Sequence, residues 1–368
     1  LTGGSQEAYI QHMIRAAWTR LGVACVVMNA RGCSTSTLHT ARCFSAAWTE
    51  DVRACVAYVR SVVGDEVPLF AVGYSLGAGV LAKFVAEEAE QCRLTAAVAC
   101  CASYDMRKST HLLESGVSMW TYNRVLAAAL RRFVSRHYHH FTHSDLQLDW
   151  ARIAEARTVR QFDTATIVPM FGYENVWDYY HDASSGRLLH QVRVPLLMLN
   201  AEDDPICDTA GVPLDVVRSN ENLVSVITKE GGHVSWCQGW FPGTASWDND
   251  AVCEFIAALC AQRGFITAPP TADELLIANA LYGVPTDALP ISPHVIRSSG
   301  GTPTSQPAGA AGGSAGARLR GAAPHPTQVL VDADADAEAV ETEDGAGVVA
   351  HAVSHAKSAV LDSAASLL

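Results

Sequence analysis

Apolar runs and amphipathic stretches alternate along most of this chain. The segments GVACVVMNA (22–30), PLFAVGY (68–74), LTAAVACCA (94–102), VPLLMLNA (194–201) and NLVSVIT (222–228) are short, β-rich and apolar on both faces. Such runs are the mark of strands buried in a parallel sheet. The stretches 6–20, 46–63, 77–90, 209–218 and 248–262 between them are amphipathic. Strand and helix in alternation predict an α/β fold, a mostly parallel sheet flanked by helices. Residues 105–190 break the rhythm, with helical patterns and no convincing strand. They read as a helical insertion over the strand ends, the usual place of a lid or substrate pocket. Leu112, Leu113, Trp120, Leu126, Leu130, Phe133 and Phe141 would suit an apolar pocket there.

The pattern divides the chain into a catalytic-size body over 1–265, a docked extension over 266–297 and a tail over 298–368. In the extension, Thr271 and Glu274 form a capping box for a short helix that Gly283 would stop. The tail begins as a Gly/Ala/Ser/Pro-rich, low-complexity linker expected to be disordered. Its end places Val349, Val353, Ala356, Val360 and Leu367 on one helical face. The plainer reading is an alanine-rich, weakly amphipathic tail; a membrane or partner contact is the alternative.

Composition narrows the classes. A 368-residue chain with 49% hydrophobic residues can bury a large core. A formal charge of −12 argues against a general nucleic-acid binder, and part of that charge sits in the segment from Asp332 to Asp344. The eleven cysteines show no CxxC pair and no zinc spacing. Cys25, Cys100 and Cys101 lie in apolar runs as small core residues, which favours a reducing compartment. No stretch reaches the roughly 18 to 20 apolar residues of a membrane span. With Leu1 in place of a methionine, the N-terminus is read as incomplete.

The sharpest chemical signal is LFAVGYSLGAGVLAKFV (69–85), where Ser75 sits between Gly73 and Gly77 at the junction of a strand and a helix. G-x-S-x-G in that context is a nucleophile elbow, a turn tight enough to hold the serine side chain out at the strand end. Small residues are expected at Gly73 and Gly77 because side chains would clash across the turn. The helix N-terminus, beginning at the N–H of Leu76, would face developing negative charge. A serine hydroxyl needs a base, and the base an orienting carboxylate. Asp203 and Asp204 follow one apolar strand and His233 follows the next. Turn formation before Pro205 would explain the aspartates alone, and a flexible glycine loop the histidine alone. Nucleophile, acid and base in this order are harder to explain separately.

These residues carry a resemblance. LTGGSQEAYI (1–10), NARGC (29–33), SAAWTEDVRACVAYVR (45–60), AVGYSLGAGVL (71–81), VRQFDTATIVPMFGYENVWDYYHDASS (159–185), LNAEDDPI (199–206) and GGHVSWCQGWFPGTASW (231–247) resemble one family of α/β hydrolases. That family includes the bacterial YheT-type proteins, yeast medium-chain fatty-acid ethyl ester synthase/esterases, plant embryogenesis-associated proteins and mammalian phospholipase-type members. The resemblance spans about residues 1–262. It implies Ser75 as nucleophile, His233 as base and, of the two aspartates, Asp204 as the acid, three residues past Ala201 at the strand end. It also implies a second oxyanion donor from an early loop, at Leu1, beside the N–H of Leu76. Tyr179, Tyr180 and Ser184 would shape the lid or brace the site, and Arg31 and Asp51 would be structural.

The expected chemistry is hydrolysis of fatty-acyl esters, medium-chain esters or glycerolipids, through an acyl-enzyme and without a cofactor. An acyltransferase using the same residues, a thioesterase or peptidase, and a non-catalytic binding or scaffold protein on a hydrolase fold are the alternatives. The expected partner is a small-molecule or lipid ester, with peripheral membrane contact a further option. His137, His139, His140 and His143 form a histidine-rich run without matching carboxylates. They are read as a polar lid helix rather than a metal site.

Overall fold

The computed structural model describes residues 1–268, apart from 35, 145 and 240–245, together with two short strand pieces at 295–298 and 330–331. Four consecutive parallel strands form the sheet: β1 (Phe70–Tyr74), β2 (Ala96–Cys100), β3 (Leu196–Ala201) and β4 (Leu223–Thr228), in the order β1-β2-β3-β4. Two pairings lie further along the chain. β5 (Phe265–Ala268) pairs antiparallel with β6 (Val295–Ser298), and the two-residue β7 (Leu330–Val331) adds parallel to β4. Thirteen α-helices accompany these strands among the described residues, and none is long and apolar enough to cross a membrane.

Side chains alternate between the two sheet faces, as a pleated strand requires. Ala97, Ala99, Leu196 and Met198 face α3 (Leu76–Glu88). Val98, Cys100, Leu197 and Leu199 face the opposite layer, α1 (Ala8–Leu21) and α13 (Trp247–Gln262). Both faces are covered, so the strands read as continuous apolar runs. This is an α/β-hydrolase fold. α2 (Glu50–Val63) lies outside α3, which is buried continuously from Ala78 to Ala86. A one-sided amphipathic helix was the expectation for α3; its central position accounts for the difference.

The run 22–30 does not form a strand. Val23 packs on the cluster around Val98, but no ladder partner joins the segment among the described residues, and Val26 is 69% exposed. An apolar pattern brings a segment to a core, whereas a strand also needs a neighbour's backbone.

Between β2 and β3 the described chain forms helices and no strand: α4 (Met106–Leu113), α5 (Gly116–Trp120), α6 (Tyr122–Arg136), α7 (Tyr138–Thr142), α8 (Trp150–Glu155), α9 (Val159–Ala165), α10 (Ile167–Phe171) and α11 (Val176–Ala183). Caps set several starts. Asp105 accepts the N–H groups of Arg107 and Lys108, Thr158 that of Gln161, and Asn175 those of Trp177 and Asp178. These helices share a core of their own with residues 33–47, including Phe133, Phe141, Phe162 and Tyr180. After β3 comes α12 (Leu214–Ser219). The helices expected after Thr271 and from Val349 lie outside the described residues.

Candidate active site

Strand register brings the candidate residues to one edge. Tyr74 is paired with Cys100, Cys100 with Leu199, and Ala201 with Thr228, so the four strands end close together. Ser75 follows β1 directly, Asp204 lies three residues past β3 and His233 five past β4. Ligands of open α/β sheets bind at this carboxyl end.

Ser75 has φ 53° and ψ −121°, a backbone conformation that costs a non-glycine residue about 1–3 kcal/mol. It is held from both sides. Its N–H donates to the Cys100 carbonyl at 2.9 Å, and its carbonyl accepts the N–H groups of Ala78 and Gly79. A Cβ on Gly73 would sit 2.7 Å from the Gly77 carbonyl oxygen, so only glycine fits there. The expectation for Gly77 needs correction. A Cβ there would meet nothing within 4 Å, and what Gly77 contributes to the crowding is its backbone.

Three side chains join in series. His233 Nε2 is 2.8 Å from Ser75 Oγ, and His233 Nδ1 is 2.8 Å from Asp204 Oδ2. A carboxylate only accepts, so Nδ1 carries the proton and Nε2 is left to accept from the serine. The other Asp204 oxygen accepts the N–H groups of Ile206 (2.8 Å) and Cys207 (2.9 Å), and the side chain has no exposed surface. A buried carboxylate with its lone pairs satisfied keeps its orientation.

Asp203 points elsewhere and accepts the N–H of Gly232 at 2.7 Å. It thus pins the loop that carries His233, more than the turn residue expected of it. The loop is shaped rather than merely flexible. A Cβ on Gly231 would fall 2.1 Å from Trp236 Nε1, and that indole donates to Thr228 Oγ1 at 2.8 Å. Cys101, at φ 53°, accepts the N–H of Val234 on the same loop. Sequence reasoning missed these supports; the signal available was GGHVSW itself, two glycines five and four residues before a tryptophan.

Leu76 opens α3, where the first amides have no partner within the helix. Leu1 lines the same cavity as Ser75 and Leu76, so both expected oxyanion residues border one space. That cavity runs beneath the inserted helices. Leu113, Leu126, Leu130 and Phe133 of the expected apolar-pocket set line it, with Phe162 and Ile167. Trp120 is instead 67% exposed, Phe141 is sealed in the insertion's core, and Leu112 is not on the wall.

Of the remaining expectations, Tyr179 and Tyr180 border the cavity and Ser184 ties α11 to Met106 N–H at 3.0 Å. Arg31 and Asp51 form a two-pronged ion pair at 2.7 and 2.6 Å. His137 is buried against the Gly32 carbonyl at 3.0 Å. Among the described residues, the one trio of ligand-type atoms close enough to share a metal is Cys101, Asp204 and His233. It suits a metal poorly. Asp204 and His233 already bond to each other, and burial pushes the Cys101 thiol far above its ordinary value, away from the thiolate a metal needs.

The family profile described as "Serine aminopeptidase, S33" matches residues 3–233. Embryogenesis-associated protein EMB8 of Picea glauca is 34% identical over 261 residues, covering 70% of this chain and 57% of its own. Phospholipase ABHD3 of Mus musculus is 33% identical over 259 residues (70% and 62%), and a monoacylglycerol lipase of Saccharomyces cerevisiae 31% over 261 residues (70% and 57%). The chain therefore spans about six tenths of the length of these relatives. A solved structure, that of Est1E from Butyrivibrio proteoclasticus, overlays with a TM-score of 0.40 at 14% identity, over 71% of this chain and 86% of its own.

Proposed function

This chain belongs to the serine aminopeptidase S33 family of α/β hydrolases, and from that premise we propose that it hydrolyses lipid esters with Ser75 as nucleophile. The observation that carries the reading is the unbroken series from Ser75 through His233 to Asp204, opening into an apolar cavity. Ser75 Oγ attacks the ester carbonyl while His233 Nε2 takes its proton. The imidazolium, steadied by Asp204, then protonates the departing alcohol. The oxyanion rests on the N–H of Leu76 and a backbone donor of the loop at Leu1. Water, activated by the same histidine, releases the acid. An alcohol in place of water gives acyl transfer from the same intermediate.

The family description names a peptidase, whereas two of the relatives are named as lipases. The cavity wall favours the second, because Leu113, Leu126, Leu130 and Phe133 offer an acyl chain apolar contact and a peptide backbone few partners. Medium-chain esters are the substrates proposed. Each buried methylene adds up to about 0.8 kcal/mol, so kcat/KM should climb several-fold per carbon pair until the cavity is filled. Hydrolysis of p-nitrophenyl esters from acetate to palmitate tests this. A rise into the medium-chain range followed by a plateau or fall is expected; a flat profile or a preference for acetate would contradict the fatty-acyl reading.

The outer side of the insertion supports contact with a lipid surface. Val117, Trp120, Tyr122 and Val125 are exposed within nine residues, Val117 and Val125 to 74% and 68%, and the Arg124 guanidinium lies 4.7 Å from the Trp120 ring. Apolar side chains with a neighbouring cation suit the headgroup boundary of a membrane. Helix α6 then carries both surfaces, with Leu126 and Leu130 inside and Val125 outside.

A further inference from the structure

One polar group in the cavity has no part in the chemistry above. Asp163, on α9, is the one carboxyl among the described residues that line this largely apolar cavity, and it is itself buried at 6% exposure. Among the described residues the carboxyl has a single hydrogen-bond donor, the Tyr180 hydroxyl at 2.9 Å from Oδ2. A carboxylate has room for about four such bonds, and a buried polar group left short of partners is destabilising. Burial pushes the Asp163 carboxyl up to about 7, the strain of a charge with too little to hold it.

The surroundings add polar capacity. Tyr179 accepts the Ala46 N–H at 3.1 Å, and its hydroxyl also bonds with that of Ser45. Thr110 lies against the Tyr180 hydroxyl. Asp163, Tyr179, Tyr180 and Thr110 all border the cavity. Together they offer donor and acceptor at one place on a wall of leucine and phenylalanine. A group that both donates and accepts, and carries no charge into an apolar space, matches it: a hydroxyl.

We propose that Asp163, with Tyr180, forms a polar subsite that selects esters bearing a hydroxyl group over plain alkyl esters. This rests on the hydrolase reading. The hydroxyl can come from the alcohol part, as in a monoacylglycerol, or from the acyl chain.

Three esters separate the sources: ethyl octanoate as reference, 1-monooctanoylglycerol, and ethyl 8-hydroxyoctanoate. The wild-type protein is expected to show kcat/KM at least about tenfold above the reference for one hydroxylated ester. In Asp163→Leu that ratio should fall to near one. A merely structural role would lower all three rates together and leave the ratio in place, which would overturn the proposal. Ratios near one for both hydroxylated esters in the wild-type protein would overturn it equally, whether or not the variant folds. Calorimetric titration of the same esters into Ser75→Ala reads the preference as binding, without turnover. Absence of hydrolysis in the wild-type protein would thus count against the hydrolase reading, while the binding ratio still decides the subsite.

Discussion

Asp204→Asn preserves the volume of a side chain with no exposed surface but removes the charge facing His233 Nδ1. The asparagine amide can also favour the wrong histidine tautomer. On the account above, kcat for a short soluble ester falls by about 10³–10⁴, with little change in KM. Asp203→Asn, which can still accept the Gly232 N–H, should cost less than about tenfold. Steady-state kinetics on the two variants checks the ranking, and the reverse order would exchange their roles. The order of Ser75, an aspartate pair and His233 was readable because each follows its own apolar run, while the preference for Asp204 over Asp203 came from the family resemblance. The supports were not readable. That Asp203 holds a backbone amide, or that Gly231 makes room for Trp236, depends on contacts across 29 residues and around a loop fold, neither of which has a periodic trace in sequence.

Among the elements, the strands that pair with neighbours were readable and the one that lacks a neighbour was misread. The run 94–102 became β2 with Leu69 and Leu199 carbonyls bonded at its margins, whereas 22–30 has comparable residues and no ladder. Periodicity also hid the position of α3, since a helix buried on nearly every side has little polar face to show. In the insertion, helical character was legible but the facing of each side chain was not: Trp120 and Leu126, six residues apart, lie on the outer surface and the cavity wall. The outward set allows a test. Trp120→Ser with Val125→Ser should reduce sedimentation with phosphatidylcholine vesicles severalfold and slow hydrolysis of vesicle-borne ester, while hydrolysis of soluble p-nitrophenyl butyrate stays within about twofold. Equal loss on both substrates would mean the patch serves folding rather than a lipid surface.

At the scale of the whole molecule, the buried Asp163 links the cavity to global stability. Its folded-state value near 7 lies above the ordinary 3.8, so the unfolded chain gives up this proton first as pH rises. The penalty is absent below pH about 4, grows through to about 7 and is constant above, reaching at most about 4 kcal/mol. Asp163→Asn should therefore gain stability relative to the wild-type protein between pH 4 and 7 in urea unfolding; a gap independent of pH would place the carboxyl's ionisation elsewhere. The body from 1 to 268 also bears the central claim, that one serine at the carboxyl edge of the sheet is activated through His233 and Asp204. Intact mass after a fluorophosphonate probe tests it most directly. A single adduct on the folded wild-type protein, absent from Ser75→Ala and from urea-unfolded protein, is the result predicted. An adduct that persists in folded Ser75→Ala would contradict the account and put the nucleophile at another residue.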